Sequence, residues 1–199
     1  PFWHCDKVEI RDSNMTELCR AALWYSNDID ISGSKLHGIK AVRECENIVI
    51  KDCSVTSEEF GWMSRDITMR DCSAKSAYFM LNSRDLTFQN VTLEGKYSFQ
   101  YIDGLTMKDS YLDTKDAFWH AKNITVKNSV VKGEYLAWYS ENITFENVNL
   151  KVDTQYGATG IIGEQRLSYF AYDFGTNGLL NNVTLKDCAI LRKADNYYT

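Results

Sequence analysis

The chain is poor in proline and in long apolar runs. Pro1 is the single proline among 199 residues, so turns must be made by Gly, Asn, Asp and Ser, which accept bent or left-handed backbone. No apolar run approaches the roughly 18 to 20 residues that a membrane-spanning helix needs. The sequence therefore predicts neither a transmembrane protein nor a membrane partner.

Basic charge and known chemical motifs are also scarce. There are 22 Lys and Arg against 27 Asp and Glu, a net charge of -5, whereas phosphate binding needs clustered basic residues. We therefore expect no nucleic-acid partner. The six cysteines form no CxxC pair, so no metal site is predicted, and no cofactor is indicated. Because the common catalytic motifs are missing, no catalytic residue is assigned and enzymatic activity stays open.

The chain is rich in one internal repeat. Each copy contains a short stretch in which apolar and polar residues alternate, and we call its first apolar residue the anchor. Most successive anchors are about 19 residues apart. The anchors are Val8, Ile29, Ile48, Ile67, Leu86, Leu105, Ile124, Ile143 and Val183. Alternation with a period of two indicates a short strand with one buried face.

Two further apolar positions complete each repeat, seven residues after the anchor and about six residues before it. Three strands per repeat predict an all-β, right-handed parallel β-helix with three short parallel sheets and about 19 residues per coil. Asp, Asn or Gly stands four residues after each anchor, which indicates a corner; a metal-binding acidic ladder is the less favoured alternative. We expect a single domain over 1–199, with regular coils over 1–154, a degenerate coil or loop over 155–180, and a last coil and tail over 181–199.

Most of the cysteines occupy small positions of the repeat that other coils fill with serine. Cys53, Cys72 and Cys188 lie five residues after an anchor, and Cys5 and Cys45 lie three residues before one. These positions predict packing thiols. Cys53 and Cys72 lie in adjacent coils at strand spacing, where a disulfide could form but is not needed. We prefer free thiols and a reducing, cytoplasmic compartment.

The aromatic residues form two columns. All five tryptophans lie five residues before an anchor, and the next position is often Tyr or His; the residues are Trp3, Trp24, Trp62, Trp119 and Trp138, then His4, Tyr25, Tyr101, His120 and Tyr139. In one interpretation the rings fill a corner and stack on each other. In the other they form an exposed stripe that binds a ligand, and flat indole faces suit sugar rings.

Two places in these columns are candidate ligand sites. The first is the charged pair Arg43 and Glu44, flanked by Trp24 and Tyr25 on one side and by Trp62 and Met63 on the other. The second surrounds His120, which lies beside Trp119, Tyr101 and Tyr139, and Trp138 is a further candidate ligand residue. A histidine can act as a general acid or base near neutral pH, although a lone surface histidine is more often inert.

These features favour a β-helix protein that binds carbohydrate, with an oligosaccharide as its partner. Polysaccharide processing is an extension of the same hypothesis. The alternative is a non-catalytic structural or interaction scaffold that uses the same face to form homo-oligomers. Exposed aromatic surface is common to both functions. The two hypotheses differ in whether a sugar or a second protein surface covers the aromatic columns.

Several coils resemble a bacterial family of right-handed β-helix proteins classed as a domain of unknown function. The resemblance lies in the segments 48–50, 60–62, 96–101, 113–119 and 132–136. It covers about residues 1–154, and the segment after Thr154 departs from it. The resemblance implies a pectin-lyase-like fold and additional coils before Pro1, so the chain is expected to be a fragment. It implies no activity and no catalytic residues, because a fold does not determine a function.

Overall fold

The computed structural model describes residues 2–152 and 181–192. The predicted degenerate coil at 155–180 and the part of the predicted tail beyond Arg192 lie outside the described residues. Within the described ranges no helix is long and apolar enough to cross a membrane.

Every regular element of the described residues is a β-strand. The strands are β1 (Phe2–Trp3), β2 (Asp6–Arg11), β3 (Asn14–Met15), β4 (Leu23–Trp24), β5 (Asn27–Ser32), β6 (Lys35–His37), β7 (Val42–Arg43), β8 (Glu46–Lys51), β9 (Ser54–Thr56), β10 (Glu59–Phe60), β11 (Arg65–Phe79), β12 (Arg84–Ser98), β13 (Asp103–Lys108), β14 (Tyr111–Thr114), β15 (Lys122–Gly133), β16 (Glu141–Val152), β17 (Asn181–Lys186) and β18 (Ala189–Arg192).

The strands wind into a parallel β-solenoid. Its first side contains the anchors, in the order β2-β5-β8-β11-β12-β13-β15-β16-β17, and each pair of neighbours is parallel. Anchor lies beside anchor, so that Ile67 is the register partner of both Ile48 and Leu86. The repeat therefore sets the register, and the parallel β-helix predicted from the spacing of the anchors is confirmed.

The corners explain why the chain avoids proline. The residue four after the anchor has a positive φ in every described coil, from Asp12 (44°) to Asp187 (53°). The residues one and four before the anchor are left-handed too, for example Asn47 (54°) and Tyr25 (53°). Proline is locked near a φ of about -65° and could occupy none of these positions. The predicted Asx corner is confirmed.

The corner side chains stabilise this backbone by forming ladders from coil to coil. Asn90 Nδ2 donates to Asp71 Oδ1 at 2.7 Å, and Asn147 Nδ2 donates to Asn128 Oδ1 at 3.0 Å. Asn and Asp tolerate left-handed backbone better than other residues that have a Cβ. The ladders therefore connect the local conformation of each corner to the stacking of neighbouring coils.

The core is a continuous column of apolar side chains inside the three sides. Phe99 stacks on Phe118 with centroids 5.4 Å apart, meets the edge of Phe79 at 5.4 Å and lies tilted against Phe88 at 5.7 Å. The anchors of the coils between residues 2 and 152 are buried around these rings. A single coil could not bury such rings, so each coil depends on its neighbours for stability.

Serine and cysteine occupy equivalent buried positions beside this core. Ser64 Oγ accepts the Cys45 amide at 3.1 Å, and the Cys53 thiol accepts the Ser34 amide at 3.5 Å. All six cysteines are free. The neighbouring Cys72 thiol lowers the pKa of Cys53. The predicted packing role of these thiols agrees with their contacts.

The second side contains the residue seven after each anchor and includes β3, β6, β9 and β14. The third side, which contains the residue six before each anchor, is less regular than the other two. It has two-residue strands in the first coils, where β1, β4 and β7 pair. From Gly61 onward, the residue six before the anchor turns left-handed, as in Phe99 (60°) and Phe118 (63°). The side chains still point into the core and are buried. This side is therefore built largely from turns. They place the outward residues five and four before each anchor close together.

Replacing Phe99 by alanine should destabilise the solenoid by about 3 to 5 kcal/mol, because it removes a buried ring that packs against three others. Urea denaturation followed by circular dichroism measures the change. The control Val49→Ala, at an exposed position of β8, should change the free energy of unfolding by less than about 1 kcal/mol. Equal effects of the two changes would contradict a core centred on these rings.

Candidate functional site

The outward side chains of the third side form a surface that we call the aromatic face. It consists of three parallel columns, formed by the residues eight, five and four before each anchor. The tyrosine column contains Ala21, Lys40, Glu59, Tyr78, Tyr97, Asp116 and Tyr135; the tryptophan column contains Trp3, Trp24, Arg43, Trp62, Leu81, Gln100, Trp119 and Trp138; the corner column contains His4, Tyr25, Glu44, Met63, Asn82, Tyr101, His120 and Tyr139. All ten candidate ligand residues named from the sequence lie on this face.

The tryptophan column braces one coil against the next. Trp62 Nε1 donates to the backbone oxygen of Tyr78 at 3.1 Å, and Trp119 Nε1 donates to that of Tyr135 at 2.6 Å. Gln100 makes the same kind of bond, with its Nε2 atom 3.3 Å from the backbone oxygen of Asp116. Each donor reaches the tyrosine column of the following coil. The side chains are half-buried as a result, and their polar groups serve the fold.

Arg43 is enclosed by this column. Its guanidinium carbon lies 5.2 Å from the ring centroid of Trp24 and 5.1 Å from that of Trp62. The same group forms ion pairs with Glu44 and Glu59, each at 3.2 Å. Its side chain is only 17% exposed. The charged pair predicted as a ligand site is thus occupied by contacts within the protein.

Those contacts extend to the neighbouring acidic groups. Glu44 also accepts the indole N–H of Trp24 at 3.2 Å, and Lys40 lies 3.1 Å from Glu59. Each carboxylate therefore has two partners. A buried charge needs this degree of pairing to offset its loss of solvation.

The corner column has a more open arrangement in its last coils. Tyr101, His120 and Tyr139 stack face to face, with centroids 4.7 and 4.9 Å apart and ring planes within 16°. We call these three residues the ring ladder. Tyr101 is 51% exposed and Tyr139 is 37% exposed. Because the stacking direction follows the solenoid axis, the rings direct their edges toward solvent.

The ring ladder ends at Tyr101, because the preceding coil has Asn82 in the corner column. The face of Tyr101 opposite His120 is therefore turned toward a short amide side chain instead of another ring. A hollow of about 330 Å³ lies over the three coils before Tyr101, and Glu44, Met63, Asn82 and Arg84 are among its lining residues. The structure separates the two predicted ligand sites here, with Arg43 and its partners on one side and the ring ladder on the other.

Sequence reasoning missed Asp116, the one carboxylate among the tyrosines of the later coils. The residue is 7% exposed, and its Oδ1 atom accepts no hydrogen bond from the described residues. Burial raises the pKa of Asp116 to about 6; Glu134 adds to this increase and Lys115 opposes it. The signal in the sequence was an acid in a column that has Tyr78, Tyr97 and Tyr135 in neighbouring coils.

No cluster of three His, Cys, Asp or Glu side chains that could bind a metal ion occurs in the part of the chain that the structure describes. The neighbours of His120 are the rings of Tyr101 and Tyr139, one on each face. The arrangement offers stacking surfaces, hydrogen-bonding edges and one buried acid.

The chain belongs to the family described as "Protein of unknown function (DUF3737)", whose profile matches residues 1–196. The match extends past Thr154, where the resemblance of the sequence was expected to end. Among solved structures, a hyperthermoactive exopolygalacturonase from Thermotoga maritima is similar to 84% of this chain at 10% identity, with a TM-score of 0.41. The chain covers 49% of that enzyme, about half its length. None of the curated proteins matches the chain.

Replacing Arg43 by alanine should destabilise the protein by about 2 kcal/mol, because it removes two cation–π contacts and two ion pairs. Thermal and urea denaturation measure the loss. The exposed pair of Arg65 with Glu46 provides the control, since Arg65→Ala should cost less than about 1 kcal/mol. An Arg43→Ala protein as stable as the unmodified one would show that the enclosed cation is not structural.

Replacing Asp116 by asparagine should stabilise the protein by about 1 to 2 kcal/mol at pH 7.5, with a gain that disappears near pH 4. The pKa of about 6 in the folded protein lies above the ordinary value of 3.8. The folded state therefore keeps a proton that the unfolded chain releases, and the free energy of unfolding falls as pH rises through this window.

Urea denaturation at several pH values measures this gain. The control is Asp109→Asn. It replaces an exposed corner aspartate by asparagine, the residue found in the corners of the neighbouring coils. A stability difference between Asp116→Asn and the unmodified protein that stays constant from pH 4 to 8 would contradict the interpretation.

Proposed function

We propose that this DUF3737 protein binds an oligosaccharide on the aromatic face, with the ring ladder of Tyr101, His120 and Tyr139 as the main contact. The observation that carries the proposal is the exposure of three stacked rings. Exposed aromatic surface of this kind commonly marks a binding site. A sugar ring offers both apolar C–H groups and hydroxyls, which suits a surface that combines rings with polar edges.

The geometry indicates which groups of the ring ladder would stack against a sugar and which would hydrogen-bond to it. Tyr101 can stack one ring face against a sugar at the break beside Asn82. The phenol groups of Tyr101 and Tyr139 and the imidazole nitrogens of His120 are hydrogen-bonding groups that follow one another at the spacing of the coils. A linear oligosaccharide along the solenoid axis would meet these groups in succession.

The other candidate residues have supporting roles in this proposal. Trp119 and Trp138 stack on each other at 5.4 Å beside the ladder and form its apolar flank. Trp24, Tyr25 and Trp62 would extend the surface toward the first coils. Arg43 and Glu44 hold that part of the surface together through their internal contacts. Binding needs neither a cofactor nor a catalytic residue, and none is assigned.

A scaffold that forms homo-oligomers through the same face is the second candidate. It is favoured by the bracing role of the tryptophan column, since Trp62 and Trp119 already use their N–H groups within the protein. A surface that is apolar and internally satisfied suits contact with a second copy. The solvent-facing polar edges of the ring ladder favour a hydrated ligand instead.

A glycan array followed by calorimetric titration tests the proposal. Tyr101→Ala should weaken the binding of a glycan hit by about tenfold, and Tyr139→Ala should weaken it similarly, because each removes a stacking and hydrogen-bonding group. The matched control is Tyr111→Ala, since Tyr111 is 38% exposed but lies on the second side, and this change should leave affinity unaltered.

Sedimentation of the same proteins separates the two candidates. A monomer that binds a glycan supports the first function. A dimer that Trp119→Ala dissociates, with no glycan bound, would replace it by the scaffold. Glycan binding that survives both Tyr101→Ala and Tyr139→Ala would place the site elsewhere.

A further inference from the structure

The aromatic face contains the same local arrangement twice. Arg43 and Glu59 have the same separation along the chain as Gln100 and Asp116, and each pair occupies the tryptophan and tyrosine columns of successive coils. The backbone repeats as well. The amide of Glu44 donates to the Trp62 oxygen at 2.8 Å, and the amide of Tyr101 donates to the Trp119 oxygen at 2.7 Å. The surroundings of Glu59 therefore indicate what an acid at the second position can bind.

At the first position the acid is paired with cations. Glu59 Oε2 lies 3.2 Å from Arg43 Nη1 and 3.1 Å from Lys40 Nζ. The guanidinium group also lies against the Trp62 ring at 5.1 Å. This corner of the fold thus accommodates a cation between a carboxylate and an indole.

At the second position Asp116 provides the acid and Trp119 the indole, but a neutral residue replaces the cation. Gln100 stands where Arg43 would be, and its amide bonds to the backbone oxygen of Asp116 instead of the carboxyl group. The column neighbours of Asp116 are Tyr97 and Tyr135, which carry no positive charge. The nearby cation, Lys115, lies 3.7 Å from Glu134. Oδ1 of Asp116 accepts no hydrogen bond from any residue in the described ranges.

We infer that Asp116 and Trp119 form a subsite for a positively charged amino group, so that the bound glycan is an amino sugar with a free ammonium group. The inference rests on the proposed function and specifies its ligand class. An ammonium group is compact and has three hydrogen-bond donors, so it suits the small exposed part of Asp116, a residue that is only 7% exposed. It would gain a charge-assisted hydrogen bond from Asp116 and a cation–π contact from Trp119. An N-acetylated sugar offers neither.

The experiment compares glucosamine and N-acetylglucosamine oligomers of equal length at pH 7 in calorimetric titrations. The unmodified protein should prefer the free amine by about tenfold, and the preference should decrease with added salt. Asp116→Asn should remove the preference while retaining affinity for the N-acetylated oligomer. The matched control Asp113→Asn alters an acid that is paired with Lys132 at 2.9 Å on the second side, and it should keep the preference.

Gln100→Arg provides a second variant with the opposite chemistry. It restores within the chain the cation that Arg43 supplies to Glu59, so the protein itself should then satisfy Asp116. We expect a higher melting temperature together with loss of the amine preference. This variant separates a lost ligand contact from a damaged fold, because it should be more stable than the unmodified protein.

The outcomes distinguish the inference from the function on which it rests. Equal binding of both oligomers by the unmodified protein, or a preference that survives Asp116→Asn, would overturn the amine subsite and leave glycan binding intact. Binding of neither oligomer, nor of any other glycan, would overturn the proposed function together with the subsite.

Discussion

Parallel hydrogen bonding between coils, in a register that places anchor beside anchor, is the constraint on which the rest of the structure depends. Because Ile67 lies beside Ile48 and Leu86, every position of the repeat lies beside the equivalent position of the next coil. A favourable residue type therefore forms a ladder: phenylalanine in the core, Asx at the corners, and serine or cysteine beside the core. The left-handed corners that hold this register also exclude proline from the turns.

The same constraint determines what the aromatic face can offer a ligand. Rings stacked at the coil spacing use their faces on each other, as in Tyr101 and His120. The indole N–H groups of Trp62 and Trp119 are used on the backbone of the next coil. Much of the aromatic surface that suggested a binding stripe thus contributes to stability. The candidate ligand contacts that remain lie where a column is interrupted, at Asn82 and at Asp116.

The register also determines which residues surround each charge on this face. Arg43 is stable at a half-buried position because two indoles and two carboxylates surround it. The repeat places Asp116 in the equivalent of the Glu59 position, but the residue across from it is Gln100. A fold made of near-identical coils allows one coil to serve as the reference for another. An unmatched charge is therefore easier to recognise here than in an irregular protein.

The amino-acid sequence by itself determined the solenoid, the register, the Asx corners and the positions of the packing thiols, because all of these repeat with a period that can be counted. It also placed all ten candidate ligand residues on one face. Tertiary structure decided which of them are enclosed by internal contacts and which expose their rings. The enclosure of Arg43, the stacking of the ring ladder and the burial of Asp116 depend on side chains from neighbouring coils. Such contacts between coils set solvation and pairing, and no single repeat contains that information.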